Sequence, residues 1–363
     1  TDKLEEAVLR YATSILANNA TLQSTYKAIT AYLLRSTPEL SGLKDGDKII
    51  SGRVHTEQII DAAVRMNDTY MFLQGPPGAG KTYNGSEIIL KLIQAKKRVG
   101  VTSNSHKAIN NLLQAIDQKA VEKNILFKGF KKSNLQDKSQ LIDGQIIKDT
   151  ARNGDLLNPQ TQLVAGTAWL FAHEDFDQKF DYVFIDEAGQ ISLAHLIAIG
   201  CSTKNIILLG DQMQLSQPIQ GTHPDDSGLS SLDYLLQGKA TIPAEQGIFL
   251  DTTRRMHSKV CKFISDVVYD SRLEAAPSTD SRSLVLGANA HSSLKPAGIS
   301  FVPITHGGNG QKSEEEALAV AEIYESLMQQ SFKTPAGDIR KFTSENILVV
   351  APYNAQVTLL INT

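Results

Sequence analysis

Cysteine and tryptophan are scarce in this chain, which has two of the first and one of the second. Cys201 and Cys261 lie far apart, form no CxxC pair and have no nearby histidine partner. Two thiols cannot build a disulfide framework, and this spacing does not suggest zinc. They read as reduced, partly buried thiols of a cytoplasmic protein. Long apolar runs are missing too. None approaches the ~20 residues that cross a bilayer, and the polar N-terminus carries no signal-peptide pattern, so no membrane partner is expected. An excess of basic charge is also absent, with a net charge of −3 and a pI of about 6.2. A chain without a whole-domain basic surface must confine any nucleic-acid contact to a local groove. No NKxD motif for guanine, internal repeat or low-complexity tract stands out.

What is present fits an ordinary globular chain of 363 residues, with 41% hydrophobic and 21% charged residues. That length exceeds what one hydrophobic core usually fills, so more than one domain is expected. The chain starts at Thr1 without a methionine and stops at Thr363 after a strand-like run, which reads as a piece of a longer protein. Residues 1–50 form an N-terminal helical segment and linker, with Leu4, Val8, Tyr11 and Ile15 spaced on one helix face. Residues 51–285 alternate helix and strand. Helices are expected at Gln58–Val64, Lys81–Ile93 and His106–Ile116. Strands are expected at Tyr70–Leu73, Arg98–Thr102, Leu163–Ala165, Tyr182–Ile185 and Ile206–Leu209. Continuous apolar strands separated by helices predict a parallel sheet covered on both faces. Residues 117–160 interrupt the rhythm as a polar, Lys-rich insertion, which reads as a solvated face with nucleic-acid contact as the alternative. Residues 286–363 begin a second, incomplete α/β domain. It has strands at Ile299–Val302 and Ile347–Val350 and a helix opened by a Ser313/Glu316 capping box.

Gly75-Pro76-Pro77-Gly78-Ala79-Gly80-Lys81-Thr82 satisfies GxxxxGK[ST] at every required position, between a strand and a helix. Glycines let backbone N–H groups curl around phosphate oxygens, and the helix N-terminus adds a favourable dipole. Lys81 would reach the terminal phosphates, and Thr82 would offer its hydroxyl to Mg2+. The strand before Asp186-Glu187 delivers two adjacent carboxylates to the same sheet edge. Asp186 would hold Mg2+, and Glu187 would orient and deprotonate the attacking water. A third strand ends in Gly210-Asp211-Gln212, where Gln212 could sense the γ-phosphate or act as a polar cap. Trp169 reads as a core residue, with base stacking as the alternative, and His106 as a helix-start residue.

Together these residues resemble superfamily 1 helicases of the 5′-to-3′ class, the group of nonsense-mediated-decay and Okazaki-fragment-processing helicases. They are most similar to bacterial members fused to a RecB-like nuclease. The similarity runs from Gln58 to Gln356. Thr102-Ser103-Asn104-Ser105-His106-Lys107-Ala108 resembles motif Ia, Ala165-Gly166-Thr167-Ala168 motif Ic, and Asp186-Glu187-Ala188-Gly189-Gln190 motif II. Gly210-Asp211-Gln212-Met213-Gln214-Leu215 is similar to motif III, and Ala351-Pro352-Tyr353-Asn354-Ala355-Gln356 to motif IV.

The resemblance implies a P-loop ATPase with a RecA-like sheet and a partial second RecA-like domain. It uses ATP and Mg2+ and tracks single-stranded DNA or RNA as a monomer, with a nuclease domain elsewhere in the same full-length chain. It further implies that Gln58 reads adenine, that Asn104, Ser105, Lys107 and Thr167 hold nucleic acid, and that Arg255 in Arg254-Arg255-Met256-His257 is a phosphate-facing finger. Arg254 stands where the family has an aromatic residue that stacks on the base; a guanidinium can also stack. Motifs V and VI would follow Thr363, so this chain is expected to hydrolyse ATP weakly. A translocase that strips proteins without unwinding, or a nucleotide-gated binding module, is the alternative.

Overall fold

The structure is a computed structural model that describes residues 2–17, 24–214 and 224–363. It divides into two compact units, Thr1–Asp251 and Thr252–Thr363.

The first unit opens with helices α1 (Asp2–Ala17), α2 (Lys27–Leu33) and α3 (Thr56–Val64). Strand and helix then alternate through β1 (Tyr70–Gln74), α4 (Lys81–Gln94), β2 (Val99–Thr102) and α5 (His106–Glu122). Next come β3 (Gly129–Lys132), β4 (Ile147–Thr150), α6 (Asn153–Leu157), β5 (Leu163–Ala165) and α7 (Ala168–Ala172). The unit continues with β6 (Phe180–Ile185), α8 (Leu193–Gly200), β7 (Thr203–Gly210), α9 (Ser231–Leu236) and β8 (Gly247–Phe249). The strands form one eight-stranded sheet in the order β4-β3-β5-β2-β6-β7-β1-β8, parallel at every pairing.

Strand alternation feeds two helical layers. Met71, Leu73, Val101, Phe184 and Leu209 pack with Ile59, Ile88, Leu92 and Leu112 of α3, α4 and α5. Tyr70 points the other way and meets Tyr32 of α2 edge-on, ring centroids 5.3 Å apart. Ala7, Ala172 and Ala198 let α1, α7 and α8 approach closely on that second face. Burying a large apolar side chain of this kind contributes roughly 1.5–3 kcal/mol. Both faces of the sheet are therefore dry, and the α/β class expected from the unbroken apolar strands is the one observed.

Residues 117–160 differ from the expectation. Rather than lying apart as a polar insertion, they lengthen α5 and add β3 and β4 to the sheet. Their lysines are largely employed in the fold. Lys119 and Lys123 pair with Glu87. Lys132 donates to Ala151 O at 2.6 Å. Lys131 is fully buried, donates to the Gln140 carbonyl and faces Asp149 at 3.9 Å.

The second unit contains β9 (Thr252–Thr253), α10 (Ser258–Val268), β10 (Glu274–Ala275) and β11 (Ser283–Val285). They are followed by α11 (Glu314–Met328), β12 (Ser331–Lys333), β13 (Ile339–Lys341) and α12 (Asn354–Asn362). The division between units falls at Asp251/Thr252, earlier than the expected 285, because β9 pairs with β10 and β11 with β12. Ile299–Val302 and Ile347–Val350 are not strands: no ladder partner meets them among the described residues, and Phe301 and Leu348 are each 87% exposed. The capping box is only half formed. Ser313 Oγ accepts the Glu316 N–H at 3.2 Å, but the Ser313 N–H goes to Gln356 Oε1 at 2.7 Å.

Candidate functional site

The sheet order places β6, β7 and β1 side by side, with Ile185 opposite Leu208 and Gln74 opposite Gly210. The residues that follow these strands, Asp186, Asp211 and Gly75, therefore share one C-terminal edge, where ligands bind in open α/β sheets.

The loop between β1 and α4 turns through Gly78 and Gly80 at φ 76° and 92°, a left-handed conformation that side chains resist. The Gly75 N–H donates to Gly210 O at 2.9 Å, tying the loop to the neighbouring strand end. The Lys81 ammonium donates to Gly75 O at 2.7 Å. The N-terminus of α4 and the Lys81 charge thus converge on one loop, a combination that attracts phosphate. Thr82 follows as the second residue of the helix. Asn84 braces the helix start, donating to Gly80 O at 3.0 Å and accepting from Thr56 Oγ at 2.9 Å.

Asp186 is buried, and its Oδ1 accepts the Glu187 N–H at 3.0 Å. Burial and then the Glu187 charge push its pKa up to about 6, against the opposing pull of that N–H and of Lys81. Glu187 is only partly buried and has left-handed backbone, φ 50° and ψ 46°. This is an uncommon conformation for a residue other than glycine, asparagine or aspartate.

Gln212 lies against Gln74, the last residue of β1. Gln74 Nε2 donates to Gln212 Oε1 at 2.9 Å, and both side-chain nitrogens donate to Ala240 O. Gln74 Oε1 accepts the Ile242 N–H at 2.7 Å. Sequence reasoning missed Gln74, although one polar residue closing the apolar run Tyr70-Met71-Phe72-Leu73 was a signal. The Gln58 oxygen accepts the His55 N–H at 3.0 Å and so secures the start of α3.

Ends of β2 and β5 are also adjacent: Val101 pairs with Ala165, and the Gly166 N–H donates to Val101 O at 3.1 Å. Asn104, Ser105 and Lys107 are exposed there, with Ser105 Oγ capping α5 through the Ala108 N–H at 3.1 Å. Thr167, partly exposed, precedes α7. Trp169 is not a core residue. It is 49% exposed, because it occupies the one outward position of a helix whose other four residues are buried. His106 is the first residue of α5, as expected, and its Nδ1 is buried with no hydrogen-bond partner. In the second unit Arg254 and Arg255 are both exposed, and their carbonyls accept from Arg282. Leu215 lies outside the described residues.

Residues 55–226 match one AAA domain family, and residues 230–363 match a second. The DNA replication ATP-dependent helicase/nuclease dna2 of Schizosaccharomyces pombe is 30% identical over 226 residues, covering 61% of this chain and 16% of that protein. The DNA polymerase alpha-associated DNA helicase A of the same yeast is 25% identical over 351 residues, 79% of this chain and 50% of its own length. The chain is homologous to Dna2-like superfamily 1 helicases. It spans half or less of the length of these relatives. Among solved structures, the Arterivirus nonstructural protein 10 helicase with DNA aligns at 15% identity and a TM-score of 0.39, over 57% of this chain and 41% of that one. No described helix is long and apolar enough to cross a membrane.

Proposed function

We propose that this chain is the nucleotide-binding part of an ATP-driven motor on single-stranded nucleic acid, a DNA helicase or translocase of 5′-to-3′ polarity. One observation carries the reading: a P-loop with its lysine, a buried carboxyl and a second, accessible carboxylate are gathered at one sheet edge. The loop N–H groups and Lys81 bind the phosphates, while Gln58 contacts the base. Glu187 takes the proton of the attacking water, and Gln212 stabilises charge on the transferring phosphoryl.

Among the described residues no cluster of three or more His, Cys, Asp or Glu could cage a metal. Mg2+ does not need one, since it takes one or two protein oxygens beside waters and phosphate oxygens. The Asp186 carboxyl, whose ionised form burial disfavours, fits such a cation, and Thr82 supplies a second oxygen. When bound, the ion neutralises charge on the phosphates. Asn104, Ser105, Lys107 and Thr167 hold the strand by its phosphates. The motor is read as a monomer. A nuclease domain in the same full-length chain is part of the proposal, since relatives carry helicase/nuclease names.

The test uses the full-length protein. Lys81→Ala is expected to abolish ATPase activity, and Glu187→Gln to keep ATP binding while stopping hydrolysis. A rate indifferent to added single-stranded DNA or RNA would sink the motor reading. ATP-dependent changes in strand affinity without turnover would favour a nucleotide-gated binding module.

A further inference from the structure

We propose that Trp169 is a nucleobase-stacking platform beside the phosphate-holding residues at the ends of β2 and β5. The inference rests on the single-stranded nucleic-acid reading above and adds how a base, rather than the backbone, is held.

Three observations converge. Helix α7 buries Ala168, Leu170, Phe171 and Ala172 and leaves only Trp169 outside. A large apolar ring held at the surface by a helix otherwise sunk in the core offers a face to a flat partner. The indole is also held in place. His195, in the first turn of α8, meets it edge-on with centroids 5.4 Å apart at 64°. Burial lowers the His195 pKa, so this prop stays neutral at physiological pH. Finally, Trp169 lies two residues after Thr167 in the helix that follows β5, and the end of β5 is bonded to the end of β2, which leads to Asn104, Ser105 and Lys107. Gly166 lets Leu170 pack close to the chain here, since a Cβ would stand 2.6 Å from Leu170 Cδ2 and 3.2 Å from Leu170 Cβ. Exposed hydroxyl, amide and ammonium groups for phosphates thus adjoin an aromatic face, the pairing that single-strand binding surfaces use.

Trp169 is the only tryptophan in the chain, so its emission reports on this position alone. The experiment adds fluorescein-labelled oligothymidine to this 363-residue chain, following anisotropy of the label and indole emission together. A matched strand of abasic linkers keeps the phosphates and lacks the bases. Saturable quenching by oligothymidine with little quenching by the abasic strand is expected. Trp169→Ala should weaken oligothymidine binding roughly tenfold to a hundredfold, and Trp169→Phe by only a few-fold. Circular dichroism checks that both variants fold, and the wild-type emission is decisive even where they do not. Binding with unchanged indole emission, or equal quenching by both strands, overturns the stacking role and leaves the motor reading standing. Absence of anisotropy change in the wild type overturns both.

Discussion

Asp186 is a carboxyl that the fold keeps neutral more readily than water does. Its pKa is raised to about 6 because it is buried beside Glu187. A group whose folded pKa lies above its unfolded one stabilises the fold fully below the unfolded value, and that contribution is lost as pH rises through the folded value. The window here runs from about pH 4, the usual aspartate value, to about 6. Asp186→Asn should therefore stabilise the nucleotide-free protein by up to about 3 kcal/mol at pH 8, with the gain shrinking toward pH 4. Thermal melts across that range check it, and a gain that grew on acidification would contradict it. Gln74 makes a second residue-scale case. Among the described residues its side chain makes three hydrogen bonds, and Gln74→Leu would remove the acceptor of the Ile242 N–H and a donor to the Gln212 oxygen. A loss of about 1–3 kcal/mol in urea unfolding is expected.

Elements show why some of the chain could be read directly and some could not. Strands such as Met71-Phe72-Leu73 and Ile206-Ile207-Leu208-Leu209 are apolar without interruption, because both sheet faces are covered. Their carboxy ends therefore exposed Gly75, Asp186 and Gln212 as candidates from sequence alone. β3 and β4 escaped this logic. Gly129-Phe130-Lys131-Lys132 and Ile147-Lys148-Asp149-Thr150 read as part of a polar insertion, yet Lys131 is buried against Asp149. Asp149 also accepts from Ser133 Oγ at 2.6 Å and from the Ile142 N–H at 2.9 Å. A charge that finds its partner only after folding leaves no mark on local hydropathy. Asp149→Ala would leave a buried ammonium and stranded donors, at a cost of about 3–5 kcal/mol. Lys131→Met should cost distinctly less, and the reverse order in chemical denaturation would refute the pairing. Trp169 misled for a related reason: tryptophan is usually interior, and only the burial of the other four α7 residues reveals the outward position.

Across the whole molecule, protection is uneven. The first unit builds its core on an eight-stranded sheet, whereas Ile299–Val302 and Ile347–Val350 have no ladder partner among the described residues. Amide exchange should be slowest in β2, β6, β7 and β1 and fast at 299–302 and 347–350. Mass spectrometry of exchanged peptides measures this, and slow exchange at 347–350 in the isolated chain would show a pairing that the structure lacks. Those segments have the apolar composition of strands, which is why strands are expected there, but the structure forms none. Hydropathy cannot say whether a neighbour is there to receive their N–H and C=O groups.

Glu187 adds a constraint on how this sequence can change. Its left-handed backbone costs about 1–2 kcal/mol relative to glycine. Selection for thermal resistance alone would therefore steer the position toward glycine, while selection for turnover would return the carboxylate. A library diversified at this codon and sorted separately on the two properties should diverge at this residue.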